Sequence, residues 1–277
     1  MRYNAIIRNY KTEEIKMKKI TAILILLAMV LALSACGGNE PEAATDLEYV
    51  QGNGKMIIGY TVYAPMNYTD DAGNFTGFDT ELAMLVCEKL GVEPEFLEIN
   101  WETKEVELNA KSIDCIWNGL TITPERQETM EITQPYVKNA QVVLMKAGSD
   151  YQDTSSLIGK SVAAEQSSVG EDAIMADTNL AQAIYVPKTV QTECLLEVKA
   201  GTADAAVLDL TLAKTMTGPG TNYEDLEIVD RLAEEDYGVA FRKDSELCNA
   251  VNEIFNELTA DGTMNALAEK YGLDLAE

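Results

Sequence analysis

From residue 55 onward the chain alternates short apolar runs with amphipathic segments. "KMIIGYTV" (55–62) reads as a strand and "GNFTG" (73–77) as a turn. "FDTELAMLVCEKLG" (78–91) reads as a helix with Leu82, Leu85, Val86 and Leu90 on one face, Asp79 as its N-cap and Gly91 just past its end. A strand at 94–99, a helix near 102–111 and a strand at "SIDCIWNG" (112–119) complete a first series. A second series runs from "QVVLMKAG" (141–148) through helical "SSLIG", strand "KSVAAEQ", helix "GEDAIMAD", strand "AIYVPK" and helix "TECLLEVKAG" to strand "ADAAVLDL" (203–210). After "YGVAFRK" (237–243) the pattern turns helical, in "SELCNAVNEIFNELTADG" and "TMNALAEKYG". Strands alternating with helices predict βαβ units and a mostly parallel sheet. The two series read as two α/β lobes without a sequence repeat between them. The last helices begin where the second series closes, free to pack back on the first lobe.

The N-terminus has a different pattern. "MKKITAILILLAMVLALSAC" places Lys18 and Lys19 before an apolar run of signal-peptide length that ends in "LSAC". That ending resembles a bacterial lipobox, in which Cys36 is lipidated and becomes the first mature residue. A transmembrane helix is the alternative, for which the run is marginal. Residues 1–35 are read as a signal peptide with an N-terminal extension, Met17 being the natural start, and 36–52 as the lipidated cysteine and a flexible Gly-, Glu-, Pro- and Ala-containing tether. An acyl chain on Cys36 would hold the protein at the membrane without spanning it.

Composition narrows the chemistry. The chain has 277 residues, 47% of them hydrophobic, enough to bury a substantial core. It has no histidine, which removes Ser-His-Asp and Cys-His nucleophiles and imidazole metal ligands. Its net charge is −25; removal of residues 1–35 leaves 15 basic and 44 acidic residues, a formal charge of −29. Such a surface repels phosphate backbones, so nucleic acid is not an expected partner. No phosphate-binding glycine loop stands at a strand-to-helix junction, and no CxxC pair supports a zinc or redox site, so no cofactor or metal is expected. Cys87, Cys115, Cys194 and Cys248 read as buried apolar residues. Export would permit a Cys87–Cys115 bridge as the alternative.

One stretch points to a ligand. In "NGLTITPER" (118–126), Thr123 suits a helix N-cap and Pro124 the first helical position, yet Arg126 stands in the first turn, where acidic residues are usual. A cation, the Thr121 hydroxyl and free backbone N–H groups at a helix start make an anion receptor. The plain alternative is a surface arginine on an ordinary capped helix.

The order of these motifs resembles a known family. "YAPMNY", "GNFTGFDTELAMLVCEKLG", "NWETKEVELNAKSIDCIWNGLTITPER", "ITQPYVKNAQVVLMK" and the C-terminal "DSELCNAVNEIFNELTADGTMNALAEKYG" are similar to the family 3 extracellular solute-binding proteins, the polar amino-acid receptors of ABC importers. The resemblance covers about residues 53–273. It implies an α/β, two-lobe periplasmic-binding-protein-like fold of type II with two hinge strands, near 142–146 and 235–239, and the ligand between the lobes. Lobe 1 would be 53–143 with the return segment 238–277, and lobe 2 would be 144–237. Ligands of open α/β sheets bind beyond the carboxyl ends of strands, which agrees.

The resemblance also implies residue roles. Arg126 would meet the α-carboxylate of a free amino acid, beside Thr121 and the backbone at Gly119, where glycine admits close approach. Ser168 would reach the same carboxylate from lobe 2. The family often has glycine where Ser167 stands and a hydroxyl where Val169 stands, so contacts from those two would be through backbone. Asp209 would pair with the ammonium, although it also suits a helix N-cap, and Tyr63 would cover the ligand. Trp101 and Glu102 would flank the ligand side chain, and Glu165 would recognise it, which favours polar or cationic side chains over acidic ones. Trp117 is an alternative core residue under the cleft. The expected function is a non-catalytic, monomeric, extracytoplasmic lipoprotein that delivers an amino acid to an ABC permease with its ATPase. Two other functions remain open: a dehydratase of prephenate-like acids on the same fold, with Glu165 as its acid, and a ligand-sensing lipoprotein that docks a signalling receptor.

Overall fold

The computed structural model describes residues 45–276, and it opens on a helix where a tether was expected. In α1 (Asp46–Asn53) the Thr45 hydroxyl accepts from the Glu48 N–H, and the Glu48 carboxylate accepts from the Thr45 N–H, a capping box. Gly54 closes the helix in the left-handed region. Within the tether expected over 36–52, residues from Asp46 onward are therefore helical. The signal segment, Cys36 and the tether up to residue 44 lie outside the described residues. No helix among the described residues is long and apolar enough to cross a membrane.

The elements then follow as β1 (Lys55–Tyr60), a small hairpin of β2 (Tyr68–Thr69) and β3 (Phe75–Thr76), α2 (Phe78–Leu90), β4 (Glu93–Glu98), α3 (Lys104–Asn109), β5 (Cys115–Thr121), α4 (Pro124–Thr129), β6 (Met130–Ile132) and β7 (Val137–Lys146). The second series is β8 (Ser161–Glu165), α5 (Val169–Ala176), β9 (Ile184–Lys188), α6 (Gln191–Ala200), β10 (Ala205–Asp209), α7 (Leu210–Met216) and β11 (Leu226–Arg242), followed by α8 (Glu246–Ala260) and α9 (Thr263–Tyr271).

The large sheet runs β4-β1-β5-β11-β7-β10-β8-β9, with β6 beside β11. One half holds parallel β4, β1 and β5, and the other holds parallel β10, β8 and β9. Antiparallel β7 and β11 run between them. β11 pairs with β7 up to Tyr237 and with β5 from Tyr237 onward, so it passes from one lobe to the other at that residue. Residues 142–145, within the hinge near 142–146 that the family resemblance implied, are paired to β10 inside the second half. The C-terminal helices pack on the first half, against α1 and α2.

Two buried polar clusters fix the first lobe. Arg242, at the end of β11, donates to Asp46 on α1 (2.8 Å), to Asp114 (3.3 Å) and to the carbonyls of Leu108 and Ile113. Asp79 is not the N-cap of α2. Gly77 holds that place at φ 129°, where any Cβ would lie 2.1 Å from the Met66 carbonyl oxygen. Asp79 is fully buried in the first turn and accepts from the Gly119 N–H (2.7 Å) and the Tyr136 hydroxyl (2.8 Å). Burial pushes its carboxyl up to about 7 against the pull of those bonds. Trp117 is fully buried and packs edge-on against Phe255 at 5.7 Å, so it is a core residue. The four described cysteines are free and buried, and the Cys87–Cys115 bridge is not formed.

Arg242→Met removes one partner from two part- or fully buried carboxylates at once. Such losses cost about 3–5 kcal/mol. Urea unfolding should show a lower midpoint by that measure; a loss below about 1 kcal/mol would show that the cluster contributes little.

Candidate functional site

The carboxyl ends of the parallel strands in both halves face one another across a narrow cavity of about 20 Å³. Its lining draws on both lobes: Asn118, Gly119 and Thr121 at the end of β5, Arg126 on α4, Glu165 at the end of β8, Ser168 and Val169 at the start of α5, and Asp209 at the end of β10. Tyr63, Trp101, Gln141 and Gln191 complete it. Eight of the nine ligand-site residues named from the sequence thus converge. Glu102 does not line it: it is exposed in a one-turn helix and lines an adjoining open hollow that shares Arg126 and Val169 with the cavity.

Arg126 is positioned by the helix start read from the sequence. Thr123 caps α4 by accepting from the Arg126 N–H, and Pro124 begins it. This geometry turns the guanidinium inward, 9% exposed, where Nη1 donates to the Thr121 carbonyl at 2.8 Å. Among the described residues no carboxylate lies within ion-pair distance of it. Burial lowers its pKa from the ordinary value, while Asp172 and Glu235 oppose that shift. Gly119 is required by its backbone: φ is 58°, and a Cβ would stand 2.8 Å from the Tyr63 ring and 3.0 Å from the Tyr237 ring.

On the facing side Asp209 precedes α7 but makes no cap with its side chain. Its Oδ1 accepts from Asn139 Nδ2 (2.8 Å) and Gln141 Nε2 (2.6 Å), and its Oδ2 accepts from Gln191 Nε2. Gln191 also takes the Asp209 N–H on its Oε1 (2.9 Å), so the first residue of α6 holds the aspartate at both ends. Ser168 does cap α5, accepting from the Glu171 N–H and donating to the Glu165 carbonyl. Ser167 sits at φ 58°, a left-handed conformation that explains why glycine suits this position. Glu165 is 3% exposed, and its Oε1 has no partner. Burial, with Asp209 acting in the same sense, pushes its carboxyl up to about 8. The Gln141 Oε1 is likewise buried without a partner.

Two contacts join the lobes across the cavity. The Tyr63 hydroxyl meets Thr211 and lies 2.6 Å from the Tyr237 hydroxyl. Lys104 Nζ, 4.9 Å above the Trp101 ring, donates to the carbonyls of Trp101 (3.1 Å) and Ser167 (3.0 Å). Burial, with Arg126 nearby, pushes this lysine down to about 8. Asn139, Gln141, Gln191 and Lys104 were not singled out from the sequence. Each reads there as an ordinary surface-type residue, and only strand register and lobe closure give it a role.

Residues 56–274 match the bacterial extracellular solute-binding proteins, family 3. The chain is 28% identical over 261 residues to the arginine-binding extracellular protein of Bacillus subtilis, covering 92% of this chain and 98% of that one. It is 31% identical over 225 residues to the histidine-binding periplasmic protein of Escherichia coli, covering 76% of this chain and 84% of that one. In structure it resembles an ABC uptake transporter substrate-binding protein of Streptococcus pneumoniae solved with bound histidine. The TM-score is 0.77 at 28% identity, over 83% of this chain and 97% of that one. These relatives are binding proteins. The chain belongs to the bacterial extracellular solute-binding proteins of family 3.

Proposed function

We propose that this chain captures a free amino acid with a cationic or polar side chain in the interlobe cavity and delivers it to an ABC permease and its ATPase. A lipid on Cys36 would keep it, as a monomer, at the outer face of the cell membrane. One observation carries the reading: a buried guanidinium with no carboxylate partner among the described residues faces an aspartate held by three amide groups across a narrow cavity between the lobes. A zwitterion answers both charges at once. In this reading Arg126, with Thr121 and the backbones at Gly119 and Ser168, takes the α-carboxylate. Asp209 takes the ammonium, and the Tyr63 ring stands where it can face that cation. Trp101 and Glu165 meet the side chain. The arginine- and histidine-binding relatives support the ligand class.

With Glu102 outside the cavity, Glu165 alone carries the selection against acidic side chains. Its unpartnered Oε1 accepts from a donor on the ligand, and a cationic ligand would draw the carboxyl back to its ionised form. A second ligand carboxylate would gain no such charge pairing and would have to keep the Glu165 carboxyl protonated.

Arg126→Ala should leave the fold intact and weaken binding by about 2–5 kcal/mol, roughly 30-fold or more, in calorimetric titration. Unchanged affinity in the folded variant would remove Arg126 from the site. Across a panel of free amino acids, arginine, lysine or glutamine should bind at least about tenfold tighter than glutamate or aspartate. Glu165→Gln should weaken arginine more than glutamine; a ranking led by glutamate, or one that Glu165→Gln leaves unaltered, would reject the side-chain assignment. Saturating ligand should also lower the radius of gyration in small-angle scattering, since both ligand charges are answered only when the lobes are closed.

A further inference from the structure

The register of the central strands brings a second carboxyl to the proposed ammonium site. Asp209 on β10 lies beside Gln141 on β7, and Glu235 on β11 lies beside Asn139 on β7. Residues 139 and 141 alternate onto the same face of β7, so the two amides stand between the two acids. Asn139 Nδ2 donates to Asp209 Oδ1 at 2.8 Å and to Glu235 Oε1 at 2.5 Å. Gln141 Nε2 donates to the same two oxygens, at 2.6 and 3.0 Å. Each amide nitrogen has two hydrogens, so these four bonds exhaust both donors. Glu235 Oε2 is left buried with no partner.

Among the described residues no side-chain cation is within ion-pair distance of these two acids. Arg126 acts on Glu235 only through the field, its Nη1 being given to Thr121. The Tyr63 and Tyr237 phenols also face the pair from β5's side of the cavity, and their hydroxyls are engaged with each other and with Thr211. Two carboxylates sharing one set of donors in a buried place cannot both stay ionised without cost. Burial first, and Asp209 second, raise the Glu235 carboxyl well above its usual range.

We propose that Glu235 backs the ammonium site from outside the cavity lining: in the ligand-free protein it holds a proton beside Asp209, and it gives that proton to solvent when a ligand ammonium arrives at Asp209. This rests on the amino-acid-binding reading above for its second step, and on the geometry alone for its first. Glu235 acts through Asp209, as a positioning residue. It makes capture proton-linked: affinity falls with acidification, because the proton and the ammonium compete for one place. The sign follows from the raised carboxyl, since the ligand-free protein binds the proton more tightly than the complex does.

Carboxyl carbon NMR titration of the ligand-free protein tests the first step. Three carboxyls, those of Asp79, Glu165 and Glu235, should titrate above the usual carboxylate range, and Glu235→Gln should remove one of them and leave the other two. If Glu235 titrates in the ordinary range, the proposal is overturned. Calorimetric titration with L-arginine at pH 7 in phosphate and in Tris, buffers of different ionisation enthalpy, tests the second. The wild type should release up to one proton more than Glu235→Gln; any proton lost by Glu165 is common to both and cancels. At pH 5 the two should bind alike, and at pH 8 the wild type should bind about tenfold tighter. Equal proton counts, or parallel pH profiles, would overturn the proposal. If no amino acid bound at all, the functional reading would fall, and the titration of the ligand-free protein would still decide whether the pair shares a proton.

Discussion

A guanidinium taken out of water must be answered by an anion, and around the cavity the protein has left that answer open. Arg126 has a carbonyl for one of its five N–H groups and no carboxylate within ion-pair distance among the described residues. Burial without a partner is costly, so such an arrangement persists where something outside the chain supplies the charge. The surrounding structure serves this one constraint. Thr123 and Pro124 aim the arginine. Asp79 ties down the Gly119 N–H, and Gly119 leaves room for the Tyr63 and Tyr237 rings. On the other lobe three amides hold Asp209 ready as the countercharge.

The lobes themselves are joined by few direct contacts near the cavity. Lys104 reaches the Ser167 carbonyl, and Tyr63 reaches Thr211. Both are hydrogen bonds to neutral groups, each worth little net because water offers the same partners in an open form. A ligand that bridges Arg126 to Asp209 adds a term present only when the lobes are closed, and that difference shifts the population. Weak direct contacts thus suit a receptor, since a strong latch would close the cleft whether or not it was filled.

Much of this was legible in the sequence, for reasons that differ by residue. α2, α6 and α8 show helical apolar spacing, and the helix start at Thr123–Arg126 carries its own caps. The alternation of strands and helices gave the parallel halves, and the resemblance to a family located Asp209, Ser168 and Glu165. Other features depended on distance in space. Asn139 and Gln141 matter because β7 lies between β10 and β11, a register that no local pattern encodes. Gln191 looks like any first helical residue. Much of β11 went unread because charges crowd its 17 residues; it runs antiparallel with part of one face exposed, where charge is tolerated. α1 was readable, since Thr45 and Glu48 form a capping box, but its setting after a Gly- and Ala-rich stretch favoured a tether. Glu102 and Glu165 looked equivalent as acids near a cleft. Only the fold separates one on an exposed turn from one at the buried end of a strand.

The chain's charge of −25 acts in the same sense as the site. A cationic amino acid carries one net positive charge, and an acidic one carries one net negative charge. A strongly negative surface raises the local concentration of the first and lowers that of the second before either reaches the cavity. At physiological salt that field fades over about 8 Å, so it works on encounter at the cleft mouth rather than from afar. In the proposed function Glu165 favours a cationic side chain by ionising beside it. On that proposal, selection by charge operates twice, first on the rate of arrival and then on the strength of holding. The second stage is the stronger on that proposal, because buried charges are screened less than those at the surface.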